Sequence, residues 1–355
     1  MSYRVVVWGP GNVGAPAVRS VVADPRLELV GVAVHSPEKE GVDVGALVGL
    51  PPLGLTATRD VESLLATRPD AVFYGVNQDF RPAESQDEMV AALAAGSNVL
   101  TAGFYPLLHP ASAPEPVRER FAEACREGRS TFLASGIDPG FLMDLLPLTL
   151  SGVCERIDEI RMVENFNYAT YEVPAAVRAI IGFGSPMDRV PPMLSPGVPT
   201  SVWGGAVRGL GAALGLEVSE VREVVERHPL ERDVELSDAL LPAGTLGAFR
   251  FEVQGVVGGR PVLVVEHVTR IVDDTAPQWP RARGMGHHQV RISGRPKITL
   301  TFEAEVDGDH VAGGNAAAAA RLVHAIPFVC DAPPGLLSGA DVPAAVGTGL
   351  LTPCR

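Results

Sequence analysis

The segment Arg4-Val5-Val6-Val7-Trp8 runs directly into Gly9-Pro10-Gly11-Asn12-Val13-Gly14, and an apolar stretch, residues 15–22, follows. This order predicts strand, glycine turn, helix. A parallel strand covered on both faces reads as an unbroken β-branched run. Three glycines at this spacing let the chain turn tightly, approach a pyrophosphate with bare backbone and seat a helix against the strand. The helix N-terminus then faces the phosphates with its unpaired N–H groups. Gly9, Gly11, Asn12, Val13 and Gly14 are therefore expected to cradle a dinucleotide. Pro16 is compatible with this, because a first helical turn has no use for that N–H.

A second buried strand is expected over residues 27–34, which completes a βαβ unit within about 30 residues. Strands are expected again at 55–58, 70–76, 98–102 and 130–135, alternating with helices at 61–67, 89–95 and 115–127. Such alternation means an α/β fold with a doubly wound parallel sheet. The pattern changes near Gly136-Ile137-Asp138-Pro139-Gly140-Phe141, where a helix over 142–150 begins. Beyond it, strands are expected at 157–163, 246–257, 261–271 and 289–305, with helices at 174–181 and 218–227. Long strands joined by turns such as Gly258-Gly259 predict an antiparallel sheet in a second, α+β domain. Near the end, Asn315 is expected to cap an alanine-rich helix over 316–325, stopped by Pro327, that returns to the first domain. The domain expectation is 1–140 for the dinucleotide-binding domain, 141–312 for a substrate-binding and dimerisation domain, and 313–355 for the returning segment.

A formal net charge of −13 argues against nucleic acid or an anionic membrane surface as partner. Four cysteines without CxxC spacing indicate neither zinc nor a disulfide framework, and no His/Asp/Glu set shows ligand spacing, so no metal is expected. No apolar run is long enough to span a bilayer and no leader precedes the first strand, which makes the cytoplasm the expected setting.

The end of the second strand carries cofactor choice. NAD-preferring sites usually place a carboxylate there for the ribose hydroxyls. This chain has Val34-His35-Ser36-Pro37-Glu38-Lys39, where His35 and Ser36 occupy the expected acidic position, Ser36 and Lys39 can bond a 2'-phosphate, and Glu38 opposes it. NADP(H) is favoured, with NAD(H) as the alternative. Ligands of open α/β sheets bind outside the carboxyl ends of the strands, which selects Gly75 and Asn77, Gly103 to Tyr105, and Gly136 with Asp138. From the second domain the polar candidates are Glu164, Asn165, Asn167, Tyr168, Tyr171, Glu266, His267, His287 and His288. Phe166, Tyr168, Tyr171, Phe183, Met187, Met193 and Trp203 are candidate pocket walls. Tyr105, Tyr168 and His287 are the candidate catalytic residues.

With Gly9 to Gly14, Ala134-Ser135-Gly136-Ile137-Asp138-Pro139-Gly140-Phe141 with Asp144, Glu266-His267-Val268-Thr269-Arg270, His324-Ala325-Ile326-Pro327 and Pro334-Gly335, the chain resembles the dihydrodipicolinate-reductase-like oxidoreductases. That group includes 2,4-diaminopentanoate dehydrogenase and the native amine dehydrogenases. The resemblance implies a Rossmann domain, a second domain that closes over a small amine, imine or carbonyl substrate and contributes to a homodimer, and hydride transfer at a C=N or C–N carbon. It also implies a glutamate just after the fifth strand, where this chain has Gly103, Phe104 and Tyr105. Adding free ammonia to a ketone needs two proton transfers, each helped about 10²- to 10⁴-fold by a positioned acid or base. A preformed iminium needs neither, so imine reduction, or carbonyl reduction with Tyr105 as proton donor, is favoured. The alternative is a catalytically silent NADP(H)-binding sensor.

Overall fold

A computed structural model describes residues 2–168, 180–236 and 239–351. The chain divides into two compact units, Met1–Phe141 with Glu305–Arg355, and Leu142–Ala304.

In the first unit β1 (Tyr3–Trp8), β2 (Leu27–Ala33), β3 (Ala71–Tyr74), β4 (Asn98–Thr101) and β5 (Thr131–Ala134) form a sheet with the late strand Gly335–Leu337. The order is Gly335–Leu337, β5, β4, β3, β1, β2, and every pairing is parallel. Both faces of β1 are covered. Val5 and Val7 lie in one core with Val18, Val21, Leu322 and Ile326, while Val6 and Trp8 lie in another with Tyr74, Met89, Leu93 and Phe121. That double burial is why the strand shows no polar alternation. The chain leaves β1 for β2 on one side and reaches β3 on the other, so the sheet's switch point falls between β1 and β3.

Two expectations are corrected here. Residues 55–58 make only isolated bridges, Asp43 with Thr56 and Ala33 with Thr58, and the remaining place in the sheet goes to Gly335–Leu337 beside β5. The late helix spans His310–Asp331 instead of 316–325. Asp309, not Asn315, caps it by accepting from the N–H groups of Val311 and Ala312 at 2.8 and 3.0 Å. Pro327 does not stop it. A proline removes one N–H, and buried Ile326 and Val329 hold the turns around it against the core. The Tyr3 hydroxyl donates to Asp331 at 2.8 Å, tying the helix end to β1.

The second unit is built on β6 (Arg156–Asn167), β7 (Glu220–Pro229), β10 (Leu246–Val257), β11 (Arg260–Arg270), β12 (Gly286–Arg295) and β13 (Ile298–Phe302), with β8 (Val234–Glu235) and β9 (Leu240–Leu241) as a separate ladder. The sheet order is β13-β12-β6-β11-β10-β7. The expected antiparallel sheet is mixed, because the central pair β6–β11 is parallel. The helix expected over 218–227 is β7. Val221 to Val225 suits either period, and pairing with β10 settles it at a sheet edge where the interspersed charges stay solvated. The strand expected over 289–305 is two strands, broken after Arg295. Most of the helix expected at 174–181 lies outside the described residues.

A helix that composition concealed, Val198–Ala213, covers one face of this sheet with Trp203, Val207 and Leu210 packed toward Phe251, Val253, Leu263 and Val265. Its glycines suggest a loop. Close approach explains some of the glycine in this layer: a Cβ on Gly255 of β10 would lie 2.6 Å from Val207. The reverse face of the sheet is ionic. Arg161 donates to Glu252 and Glu266 at 2.6 and 2.7 Å, and Arg250 donates to Glu266 and Glu252 at 2.6 and 2.5 Å.

Candidate active site

The glycine turn of the first unit divides its labour among three positions. Gly9 has a φ of +87°, the left-handed region that favours glycine, and its N–H donates to Ala33 at 2.9 Å. A Cβ on Gly14 would stand 1.9 Å from the Gly9 carbonyl oxygen, so this glycine is what lets α1 (Gly14–Ala23) start against β1. Around Gly11 a Cβ would meet nothing within 4 Å. That open backbone, beside a helix start with Val13 at the N-cap and no side-chain cap, fits a pyrophosphate. Gly75, directly after β3, packs against the turn, with its Cβ position 3.0 Å from the Gly9 oxygen.

At the end of β2, His35 is exposed and Ser36 and Lys39 are half-buried. The neighbouring Ser36 hydroxyl holds the Glu38 carboxyl below the usual range. Two residues that sequence reasoning did not select converge here. Arg81 Nη1 lies 2.7 Å and Glu88 Oε1 2.9 Å from His35 Nε2. The available signal was an arginine just before Pro82 at the start of the helix Pro82–Ala94, but nothing local says that it reaches β2.

At the ends of β3 and β4, Asn77 accepts from the Asp79 N–H at 2.9 Å, and Gln78 donates to Thr101 Oγ1 at 2.8 Å. The Gln78 Oε1 is buried with no partner among the described residues, beside Gly103. An acceptor is thus left for a bound group. Gly136 and Asp138 sit in a tight loop, closed by the Phe141 N–H donating to Gly136 at 2.9 Å, with a cis Asp138–Pro139 bond. Tyr105 opens a short 3₁₀ turn after β4. Burial, then the carboxylates of Asp79 and Asp138, push its phenol up to about 12. It stays protonated at any working pH.

In the second unit, register brings Glu164 of β6 between His267 of β11 and His288 of β12. Glu164 Oε1 is 3.1 Å from His267 Nδ1, and its Oε2 is 3.5 Å from His288 Nε2. Burial opposes the carboxylate, yet the two imidazoles outweigh it and hold Glu164 well below the usual range. The row lies on the apolar face: His267 stacks on Phe251 and meets Trp203 at centroid distances of 4.7 and 4.5 Å, and His288 meets Phe166 at 5.2 Å.

The other candidates lie elsewhere. His287 is buried on the reverse face, accepting from the Arg283 N–H at 3.0 Å, and burial lowers its imidazole. Asn165 is bonded by Arg270 and to the Pro280 carbonyl, and Asn167 donates to Asp273. Glu266 belongs to the ionic network. Tyr168 follows β6 half-buried, 6.0 Å from the Phe183 ring. Tyr171 lies outside the described residues.

Residues 141–350 match the 2,4-diaminopentanoate dehydrogenase C-terminal domain. The chain is 46% identical over 351 residues to an amine dehydrogenase of Streptomyces virginiae, covering 98% of each. It is 23% identical to a 2,4-diaminopentanoate dehydrogenase of Acetoanaerobium sticklandii, covering 96% of this chain and 93% of that one. In fold it resembles the amine dehydrogenase of Mycobacterium smegmatis, with a TM-score of 0.75 and 21% identity over 98% of this chain and 97% of that one. Together with the glycine turn and the two-unit architecture, these matches establish that the chain belongs to the amine dehydrogenase and 2,4-diaminopentanoate dehydrogenase family of nicotinamide-dependent oxidoreductases.

Proposed function

We propose that this oxidoreductase moves a hydride between NADP(H), with NAD(H) as the weaker alternative, and the C–N carbon of a small, largely apolar amine or imine. The observation that carries the reading is Glu164, an anionic carboxylate set between two imidazoles on an otherwise aromatic and aliphatic face. Such a site suits a cation with an apolar body: an ammonium or iminium group would gain a charge-assisted hydrogen bond where water is scarce.

A dinucleotide held by its pyrophosphate at the glycine turn would supply or accept the hydride through its nicotinamide. The chain's own residues then handle the proton. An alkylammonium ion must lose a proton before its carbon can give up hydride, and an imidazole of the Glu164 row can accept it while the carboxylate balances the new charge. In the reducing direction an iminium ion is already the electrophile and asks only for orientation. Gly103, Phe104 and Tyr105 offer no carboxylate after β4, so we hold that preformed imines are reduced in preference to ketone plus ammonia, with the protonated Tyr105 as donor where a carbonyl is reduced. We also hold that the chain acts as a homodimer.

Loss of NADPH fluorescence against cyclic imines, ketones with ammonia or amines, and aldehydes tests this. Turnover is expected on imines first. Faster turnover with ketone plus ammonia would overturn the imine preference, and tight cofactor binding with no turnover on any of them would favour the sensor.

A further inference from the structure

Three elements of the first unit meet at the exposed end of β2. His35 follows β2, Arg81 follows β3, and Glu88 lies on the helix Pro82–Ala94. Arg81 Nη1 is 2.7 Å and Glu88 Oε1 2.9 Å from the same His35 Nε2, while Arg81 Nη2 is 3.2 Å from that same Glu88 oxygen. Glu88 Oε2 is held separately by the Tyr74 hydroxyl at 2.5 Å, and His35 stacks on the Trp8 ring. A single imidazole nitrogen cannot accept from Arg81 and donate to Glu88 at once. The cluster therefore has two exclusive arrangements. In one, Arg81 donates to both His35 and Glu88. In the other, Nε2 carries the hydrogen and donates to Glu88, and Arg81 loses its bond to His35 and keeps only its longer Nη2 contact with Glu88.

This is where the ribose 2' position of a dinucleotide on the glycine turn is read. We propose that Arg81 is the residue that recognises a 2'-phosphate, and that His35 and Glu88 are its reversible latch. With a phosphate present, the guanidinium leaves His35 and forks onto two phosphate oxygens, the geometry at which arginine excels. His35 then turns its Nε2 hydrogen to Glu88, so neither group is left unpaired. With a free 2'-hydroxyl, Arg81 stays latched and its charge is already balanced, so NAD(H) is tolerated at lower affinity. The two latch partners act in opposite senses: Arg81 draws the phosphate, and Glu88 competes with it for the same guanidinium.

The inference rests on the reading of the glycine turn as a nicotinamide dinucleotide site, and binding measurements separate the two. Fluorescence titration of the full chain with NADPH and with NADH gives both dissociation constants, and adenosine 2',5'-bisphosphate against 5'-AMP as competitors isolates the 2' group. Arg81→Gln is expected to weaken NADPH about 10- to 100-fold, the span of one lost charge-assisted pair, and to leave NADH within about twofold. Arg81→Lys should recover part of the loss, because it restores charge without the fork. Glu88→Gln should strengthen NADPH binding several-fold, a gain that damaged folding cannot imitate. An NADPH to NADH ratio unchanged in Arg81→Gln overturns the assignment of Arg81 alone. Failure of the wild-type chain to bind either dinucleotide overturns it together with the cofactor reading.

Discussion

Glu164 and His267 face each other across the parallel pair β6–β11, Oε1 to Nδ1 at 3.1 Å, and the imidazole stacks on Phe251 with Trp203 tilted against both rings. A carboxylate so placed is anchored by its partners more than by solvent. Glu164→Gln keeps the shape and removes the charge. Its turnover with an amine or imine should fall about 10²-fold or more, with NADPH affinity unchanged. Because the folded state holds this carboxyl below its ordinary value, the carboxylate stabilises the protein above an unfolded value of about 4.3, and that contribution is lost as pH falls toward the folded value. Melting temperatures from pH 7 to pH 3 should therefore drop more steeply for the wild type than for Glu164→Gln. Parallel curves would remove the charge from the argument.

Tyr105 tests the proton donor. Tyr105→Phe should lower carbonyl reduction by about 10²-fold and leave cofactor affinity nearly unchanged. Its phenol, pushed up to about 12, gives a second readout. A raised value means that stability is fully present below an unfolded value of about 10 and is lost as pH rises toward 12. At pH 10.5 the phenolate absorbance of wild type and Tyr105→Phe should nearly coincide in the native state and differ by about three-quarters of a phenolate in denaturant.

Gly11 and Gly14 should fail differently. Gly11→Ala meets open space, so the melting temperature should hold while NADPH binding weakens, because the new methyl occupies the pyrophosphate approach. Gly14→Ala sets a Cβ 1.9 Å from a backbone oxygen, and the helix start must move. Overpacking of this kind costs about 1–3 kcal/mol, and calorimetry should show a fall of about 2–4 °C per kcal/mol. Equal thermal behaviour of the two variants would contradict this division of roles.

Glu266 serves the reverse face of the sheet. It neutralises Arg161 and Arg250 together, and the three side chains are largely buried. Glu266→Gln strands part of that charge and should cost about 3 kcal/mol, the lower end for a broken buried pair, because Glu252 remains a partner to both arginines. Denaturant unfolding measures it. A loss below about 1 kcal/mol would mean that the network behaves as a surface one.

Local signals carried the first unit well. Strand-forming runs buried on both faces and a glycine turn with a helix behind it state their environment residue by residue. Where local evidence was neutral, reading failed in characteristic ways. The series Val221 to Val225 fits a helix or a strand, and only β10 decides between them. Val198–Ala213 is glycine-rich, so propensity argues for a loop, yet packing on the sheet makes it a helix. Pro327 reads as a stop, and burial against β1's core carries the helix through it.

By itself the sequence determined that this chain builds a parallel sheet with a dinucleotide turn, and which backbone positions must be bare, because strand burial, turn geometry and helix start depend on neighbours in the chain. Only the tertiary structure decided which polar groups meet. Arg81 and Glu88 reach His35 across separations of 46 and 53 residues, and Glu164 finds His267 and His288 through the register of three strands. A hydrogen bond extends about 3 Å, and which side chains come within that reach is set by strand order and register.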